Sequence, residues 1–486
     1  MAGMSLVRYG APAGRWVLLA TVLGSGMAFI DGTVVNIALP SIGAEFAADA
    51  ASLQWTVNGY ALPLAAFILL GGSLGDRFGR RRVFVIGVTW FAVASLLCGL
   101  APNVNALIVA RALQGVGGAL LVPGSLAILQ SAFDPGDRSR AIGAWSGLGG
   151  IAGAAGPFLG GWLVGVASWR LVFLINLPIA LAVVVVALRH VPESADPDAS
   201  RRIDVAGSLT GALGLACVTY GFTAWPERGA DALVLGTLAV GAAAMIGFVV
   251  VEARSSHPML PLRIFASRVF SATNVVTFLV YGAIGGLFFF LVITLQVVVG
   301  FSPLAAGLAP LPVTALMLVL SARAGGLAQR IGPRVPMAVG PLICAGGAVL
   351  LAGIDAGSTY LTGVLPGIVV FGLGLSLTVA PLTVTALTSA ADRHAGVASG
   401  VNNAVARAAG LMAVAVLPLA AGVGTSLIDP ATLGPANRTS MLICAGLLVA
   451  GGLLALGTIP SSLAAARPAG EPGAADPAGP AGPAGA

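Results

Sequence analysis

Fourteen apolar windows, each about as long as a bilayer is thick, leave this chain few folds to choose from. They run over residues 17–39, 55–74, 83–101, 106–131, 139–164, 171–189, 205–226, 231–252, 270–298, 304–322, 336–354, 360–386, 396–422 and 438–458. A hydrocarbon core of about 30 Å takes roughly 20 apolar residues as a helix, and the windows lack the ten-residue alternation of barrel strands. Only 9% of the 486 residues are charged and 57% are hydrophobic. That is too little charge to coat a water-facing surface of this size, since charged side chains populate the exterior of soluble folds. The expected fold class is an all-α integral membrane protein.

The arginines give an independent test of the windows. The sequence holds no lysine, so all 24 basic residues are arginine. With the N-terminus placed inside, nineteen fall on inside segments, three (Arg170, Arg228 and Arg438) fall outside, and Arg111 and Arg407 fall within spans. Enrichment of positive residues on the cytoplasmic side is the usual determinant of orientation. An odd error in the span count would scramble this alternation, so an even number with both termini cytoplasmic is expected. A cleaved signal is the competing reading of the first window, but the run is long for a signal and contains Asp31.

Several chemistries are excluded. A phosphate-binding loop of the Walker type needs a lysine to reach the terminal phosphates, so this chain is not itself an ATP-driven pump of that class. Cys98, Cys217, Cys344 and Cys444 lie far apart inside apolar runs, and His190, His257 and His394 fall in polar loops. Neither set has metal or redox spacing, so no metal, no cofactor and no enzymatic activity are expected. Paired intramembrane catalytic groups and a sizeable soluble output domain are also missing, which disfavours a membrane-embedded enzyme or sensor.

A weak internal repeat runs at a constant offset of 253 residues. GSLGDRFGRR after the second window matches GGLAQRIGPR after the tenth at Leu74/Leu327, Arg77/Arg330, Gly79/Gly332 and Arg81/Arg334. Six spans, an additional pair and six more would generate it, and internal repeats of this kind build many secondary transporters around a midplane site. Polar groups at membrane depth are the candidates for that site, because an ionisable residue at a helix centre costs about 2.5 to 3.5 kcal/mol on insertion scales. Asp31, in the outer half of the first span, is the one carboxylate well inside any window, and Arg111 lies at a similar depth. Gln114, Gly115 and Gly118 share the helical face of Arg111. Asn402, Asn403 and Arg407 need partners in the thirteenth span, and Asn36, Asn58, Tyr60, Trp145, Asn274, Tyr281 and Gln296 are further candidates for a cavity wall.

Four signatures stand in order along the chain: IDGTVVNIALP from Ile30 to Pro40, GGSLGDRFGRRR from Gly71 to Arg82, LIVARALQG from Leu107 to Gly115, and GGIAGAAGPFLGG from Gly149 to Gly161. With them the chain resembles the major facilitator superfamily, and within it the 14-span drug:proton antiporters, over residues 17–458. The resemblance implies proton coupling through Asp31 and Arg111. It implies a conformational latch at Gly72, Asp76, Arg77, Gly79 and Arg80, and an antiporter motif at Gly153, Gly156, Pro157, Gly160 and Gly161. Gln329 replaces Asp76 in the second copy, so a charge latch is not extended there.

The expected organisation is a cytoplasmic N-terminus (1–16), a six-helix bundle (17–189), a linker (190–204) and two additional helices (205–252). A cytoplasmic loop (253–269), a second six-helix bundle (270–458) and a disordered cytoplasmic tail (459–486) complete it, with Arg201, Arg202 and Asp204 as an interfacial anchor. The expected function is export of amphipathic drugs or antibiotics from the cell membrane in exchange for protons, by alternating access. The partners are the small-molecule substrate, protons and the lipid bilayer, with no nucleic acid and no obligate protein partner. The alternative is a proton-coupled exporter or symporter of one specific metabolite.

Overall fold

The computed structural model describes residues 6–196, 204–255, 258–389, 395–424 and 426–462. Arg201, Arg202, His257, Arg393, His394 and the tail beyond 462 lie outside the described residues. Fourteen helices are long and apolar enough to cross a membrane: α1 (Pro12–Phe46), α2 (Ala50–Phe78), α3 (Arg80–Gly99), α4 (Val104–Ala132), α5 (Pro135–Val166), α6 (Leu171–His190), α7 (Val205–Arg228), α8 (Ala232–Arg254), α9 (Arg268–Val297), α10 (Pro303–Ser321), α11 (Arg334–Leu351), α12 (Tyr360–Thr388), α13 (Val397–Ala420) and α14 (Pro430–Thr458). Among the described residues there is no β-strand, only an isolated bridge between Val7 and Phe133.

Helices win because a spanning segment must satisfy its own backbone where no water can. Their ends are closed by side chains at the loops. Asp49, Asn103, Asp204, Asp231 and Ser267 each accept a backbone N–H three residues on, the usual use of Asp, Asn and Ser at a helix start. The helices overrun the apolar windows where polar residues carry them past the hydrocarbon. Arg438, expected in a loop, sits two turns into α14, and His190 closes α6 with its ring stacked 4.8 Å from that of Trp16.

The packing repeats. In the first six helices α4 packs on α2 and α3, α1 on α5 and α6, and α3 on α6; in the last six, α12 packs on α10 and α11, α9 on α13 and α14, and α11 on α14. The pairs correspond one for one, so two copies of one six-helix plan underlie the 253-residue repeat. The additional hairpin α7–α8 packs against α2 of the first half and α13 of the second. It therefore leans on both copies and not on one. Side chains such as Trp90, Val109, Leu181, Ile246 and Leu361 point outward around the bundle, as lipid-facing residues must.

Odd-numbered helices and even-numbered helices run in opposite directions, which puts Arg77, Arg80, Arg81, Arg82, Arg138, Arg189, Arg254, Arg268, Arg330 and Arg334 at one end of the bundle. This end is called the basic face below, and the other the far face.

Close helix crossings depend on missing side chains. A Cβ on Gly71 would collide with the carbonyl of Ala119, and one on Gly115 with that of Tyr60, so α2 and α4 touch backbone to backbone at two levels. Small residues permit such approach, and in lipid the resulting packing is a main source of helix association. A Cβ on Gly72, one residue on, would have its nearest neighbour, Pro123, at 3.7 Å, an ordinary contact. Overpacking of a close-packed site costs about 1 to 3 kcal/mol. Gly71→Ala should therefore lower the thermal unfolding midpoint of the detergent-purified protein by several degrees while Gly72→Ala leaves it within about a degree, as read by differential scanning fluorimetry.

Candidate functional site

The most buried polar cluster joins α1, α3, α4 and α6. Asp31 and Arg111 are both essentially inaccessible, at 0% and 1% exposed, and form an ion pair between Oδ2 and Nη1. The other carboxylate oxygen, Oδ1, accepts from Gln114 Nε2 at 2.8 Å and from Asn176 Nδ2 at 3.5 Å. Arg111 also donates from Nη1 to Gln114 Oε1 at 2.6 Å and from Nε to the carbonyl of Thr56 at 3.0 Å. Ser95 Oγ accepts from both Gln114, at 2.8 Å, and Asn176, at 3.3 Å. The guanidinium lies over the ring of Tyr60, 4.4 Å from its centroid, in cation–π contact.

This arrangement explains how two charges survive at membrane depth. A buried pair is tolerated only where its geometry is good and its remaining donors and acceptors are satisfied, and here each charged group meets several partners. The i+3 spacing that put Gln114 on the face of Arg111 makes it the bridge between the two charges. Asn176 and Ser95 were not singled out by the sequence reading. The signal was present, since each is a polar residue inside an apolar run of its own helix.

A cavity of about 420 Å³ lies between the two halves. Of the candidate wall residues, Asn36, Asn58, Tyr60, Tyr281, Asn402, Asn403 and Arg407 line it, and Arg111 joins them. The other candidates are engaged elsewhere. Gln114 is held within the ion-pair cluster, Trp145 donates to Ser25 Oγ at 3.1 Å, and Asn274 accepts from Asn402 at 3.3 Å just beyond the lining. Gln296 donates to the carbonyl of Ile37 at 3.1 Å, linking α9 to α1 near the far face. Asp31 does not line the cavity either; Arg111 does, so the arginine stands between the carboxylate and the cavity.

The glycine motif of α5 serves a close three-helix contact. Pro157 has no N–H to offer the carbonyl of Gly153 four residues earlier, and Thr33 Oγ1 of α1 supplies the missing donor at 3.0 Å. A side chain on Gly156 would collide with Thr33, one on Gly160 with Val34, and one on Gly161 would come within 2.7 Å of Leu304 at the start of α10. Gly307 in turn lies against the carbonyl of Pro157. These contacts join the two halves toward the far face. At the basic end of the same helix, Gly143, Gly147 and Gly150 face open space.

The turn between α2 and α3 is tied to the segment that follows α6. Gly79 takes φ +107°, a conformation that side chains rarely adopt, and its missing Cβ leaves room for the carboxylate of Glu193. Arg80 pairs with Asp76 at 2.9 Å, and its N–H donates to the carbonyl of Ser194 at 2.8 Å. Arg81 donates from Nη1 to the carbonyl of Val191 at 3.1 Å and pairs with Glu193 at 3.5 Å. Arg77 takes no part, being exposed and stacked on Phe78, and Gly72 lies back inside α2. Glu193 escaped the sequence reading because its partner is more than a hundred residues away.

The second copy builds the same tether without the acid. Gly332 has φ +83°, and Arg334 Nε donates to the carbonyl of Ile459 at 2.6 Å. Val191 and Ile459 are the C-cap residues of α6 and α14, the last helix of each half. Ile459 and Ser461 therefore pack on the α10–α11 turn, and the segment expected to be disordered from 459 is ordered through its first residues. The sequence reading also missed Glu252, a second buried carboxylate, which accepts from the N–H of Leu260 at 3.0 Å near the basic end of α8.

Two six-helix copies packed around a central cavity, with a buried ion pair on its wall, define a transporter of the major facilitator type. The Major Facilitator Superfamily profile matches residues 21–415, and the chain belongs to that family. It is 39% identical over 406 residues to the tetracenomycin C resistance and export protein of Streptomyces glaucescens, covering 82% of this chain and 74% of that one. It is 37% identical over 392 residues to the multidrug resistance protein Stp of Mycobacterium tuberculosis, covering 80% and 72%. Among solved structures, a bacterial homologue of the human lysosomal transporter Spinster superposes with TM-score 0.64 at 18% identity, over 95% of this chain and all of that one. The chain is thus a multi-pass membrane transporter and not an enzyme.

Breaking a buried pair from one side strands a charge, at about 3 to 5 kcal/mol, whereas removing both charges costs far less. Asp31→Asn should therefore lower the unfolding midpoint more than the Asp31→Asn/Arg111→Gln double variant does, in the same fluorimetric assay. Thr33→Val should destabilise by about 1 to 3 kcal/mol through the orphaned Gly153 carbonyl, and Thr33→Ser should restore most of it.

Proposed function

We propose that this transporter exports amphipathic drugs or antibiotics across the cell membrane in exchange for protons, by alternating access of the central cavity to the two faces. The observation that carries the reading is the Asp31–Arg111 pair, buried one residue's depth behind the cavity wall. The relatives named for tetracenomycin C export and for multidrug resistance support the substrate class. No cofactor is invoked, and the energy source is the proton gradient. The basic face is taken as cytoplasmic, in keeping with the enrichment of arginine there.

Coupling follows from the electrostatics. While Asp31 is ionised, Arg111 is held by its carboxylate, by Gln114 and by the Thr56 carbonyl. A proton on Asp31 removes the countercharge and leaves a lone guanidinium in a medium that disfavours it. The strain is relieved when Arg111 turns into the cavity, where water or substrate can solvate it. Proton uptake and the state of the cavity wall are in this way one event. The tethers at Gly79 and Gly332 hold the second and third helices of each half against the end of the sixth, so that each half moves as a body. The contacts of Gly161 and Gly307 between α5 and α10 hold the two halves together toward the far face.

In proteoliposomes containing the full chain, an imposed pH gradient should drive substrate efflux, and Asp31→Asn should reduce the gradient-driven rate at least tenfold while substrate affinity changes less than threefold. Efflux that follows the gradient equally well in the variant would sink the role of Asp31. A second arm uses Glu193→Ala, which should slow turnover without changing affinity.

A further inference from the structure

We propose that the central cavity selects substrates carrying an anionic or strongly acidic group, with Arg407 as its counter-ion. The inference rests on the export reading above and names the chemistry of the exported molecule. Arg407 lines the cavity from α13, half-buried at membrane depth, and among the described residues it makes neither an ion pair nor a hydrogen bond. The other arginine of the wall, Arg111, is fully committed to Asp31, Gln114 and Thr56. Among the described residues no aspartate or glutamate lines the cavity, so none of them offers Arg407 a countercharge there. A guanidinium at this depth is tolerated only where it faces a water-filled cavity or an opposite charge, and such residues mark substrate pathways; it is never neutralised by losing its proton.

The surroundings of Arg407 point to a ligand as well. Asn58 is completely buried, lines the same cavity, and has neither its Nδ2 nor its Oδ1 partnered; Asn36 Oδ1 is likewise buried and free. Buried amides are normally satisfied, and both asparagines border the cavity, so a turn of either side chain would present its amide to polar groups of an occupant. Val57, Leu64, Ile284 and Val414 add apolar surface to the same lining. A volume of about 420 Å³ falls within the range of drug-sized ligand sites. The complementary molecule has an apolar body, one carboxylate or comparably acidic enol or phenol to face the guanidinium, and carbonyl or hydroxyl groups for the asparagines. A lipophilic cation would instead meet an uncompensated positive charge with no carboxylate to receive it.

The test compares charge at constant shape in proteoliposomes under an imposed pH gradient, with efflux read by mass spectrometry. The probes are fusidate, its uncharged methyl ester, nalidixate, and the cations ethidium and rhodamine 6G. Fusidate and nalidixate should be exported at least tenfold faster than the ester and the cations at equal concentration. Arg407→Gln should raise the half-saturating concentration of the acids at least tenfold and abolish the difference between fusidate and its ester. Arg407→Lys, which keeps the charge, should recover much of that difference, and equal size-exclusion profiles of the three proteins exclude a folding defect. Export of the cations in preference to the acids, or acid affinity unchanged in Arg407→Gln, would overturn the inference and leave drug export standing. If the wild-type protein exports no probe of any charge, the export reading falls and the inference with it.

Discussion

The constraint on which the rest depends is that a charge inside the bilayer cannot be left alone. Asp31 and Arg111 come from helices 80 residues apart in sequence, and their pairing fixes how α1 and α4 face each other. Each further member of the cluster adds another helix: Thr56 brings in α2, Ser95 brings in α3 and Asn176 brings in α6. Five of the six helices of the first half are thereby oriented by one hydrogen-bonded set. In a medium without hydrophobic drive between helices, such polar contacts and close glycine crossings decide which faces meet. The same cluster that fixes the packing borders the cavity through Arg111.

The two halves share a plan but not a chemistry. The pairing of helices is the same in both, and both use a glycine of positive φ and an arginine two residues later to grip the C-cap carbonyl of their sixth helix. The first half adds acids to that grip, Asp76 and Glu193, where the second has none. The division extends into the membrane. The first half carries a compensated ion pair, whereas the second presents Arg407, which has no countercharge among the described residues. The α7–α8 hairpin leans on both halves.

Much of this was legible because the determinants are local or periodic. Span length, arginine asymmetry and the order of the four signatures need no tertiary information. The depth of Asp31 and Arg111 followed from counting residues along two helices, and Pro157 announced an orphaned carbonyl by its lack of an N–H. What was not legible involves partners distant in sequence. Thr33 as the donor to Gly153, Glu193 against the Gly79 turn, and Asn176 beside Asp31 each join segments more than a hundred residues apart. Trp145 and Gln296 show the converse. Both are polar residues in apolar runs, yet they satisfy a serine and a backbone carbonyl and do not reach the cavity.

By itself the sequence determined that this chain has fourteen segments able to cross a membrane, that its halves repeat, and that its charged residues within spans are few, with Asp31 and Arg111 at similar depth. Hydrocarbon thickness and the cost of exposing backbone or charge to lipid impose those features on any segment, whatever its neighbours. Only the tertiary structure decided which polar residues are consumed in holding helices together and which remain free to meet a substrate. That division depends on how the helices are rotated against one another, and rotation is set by contacts across the bundle that no single helix encodes. Arg111 and Arg407 look alike in the sequence as lone arginines in apolar runs; packing gives one a carboxylate and leaves the other facing the cavity.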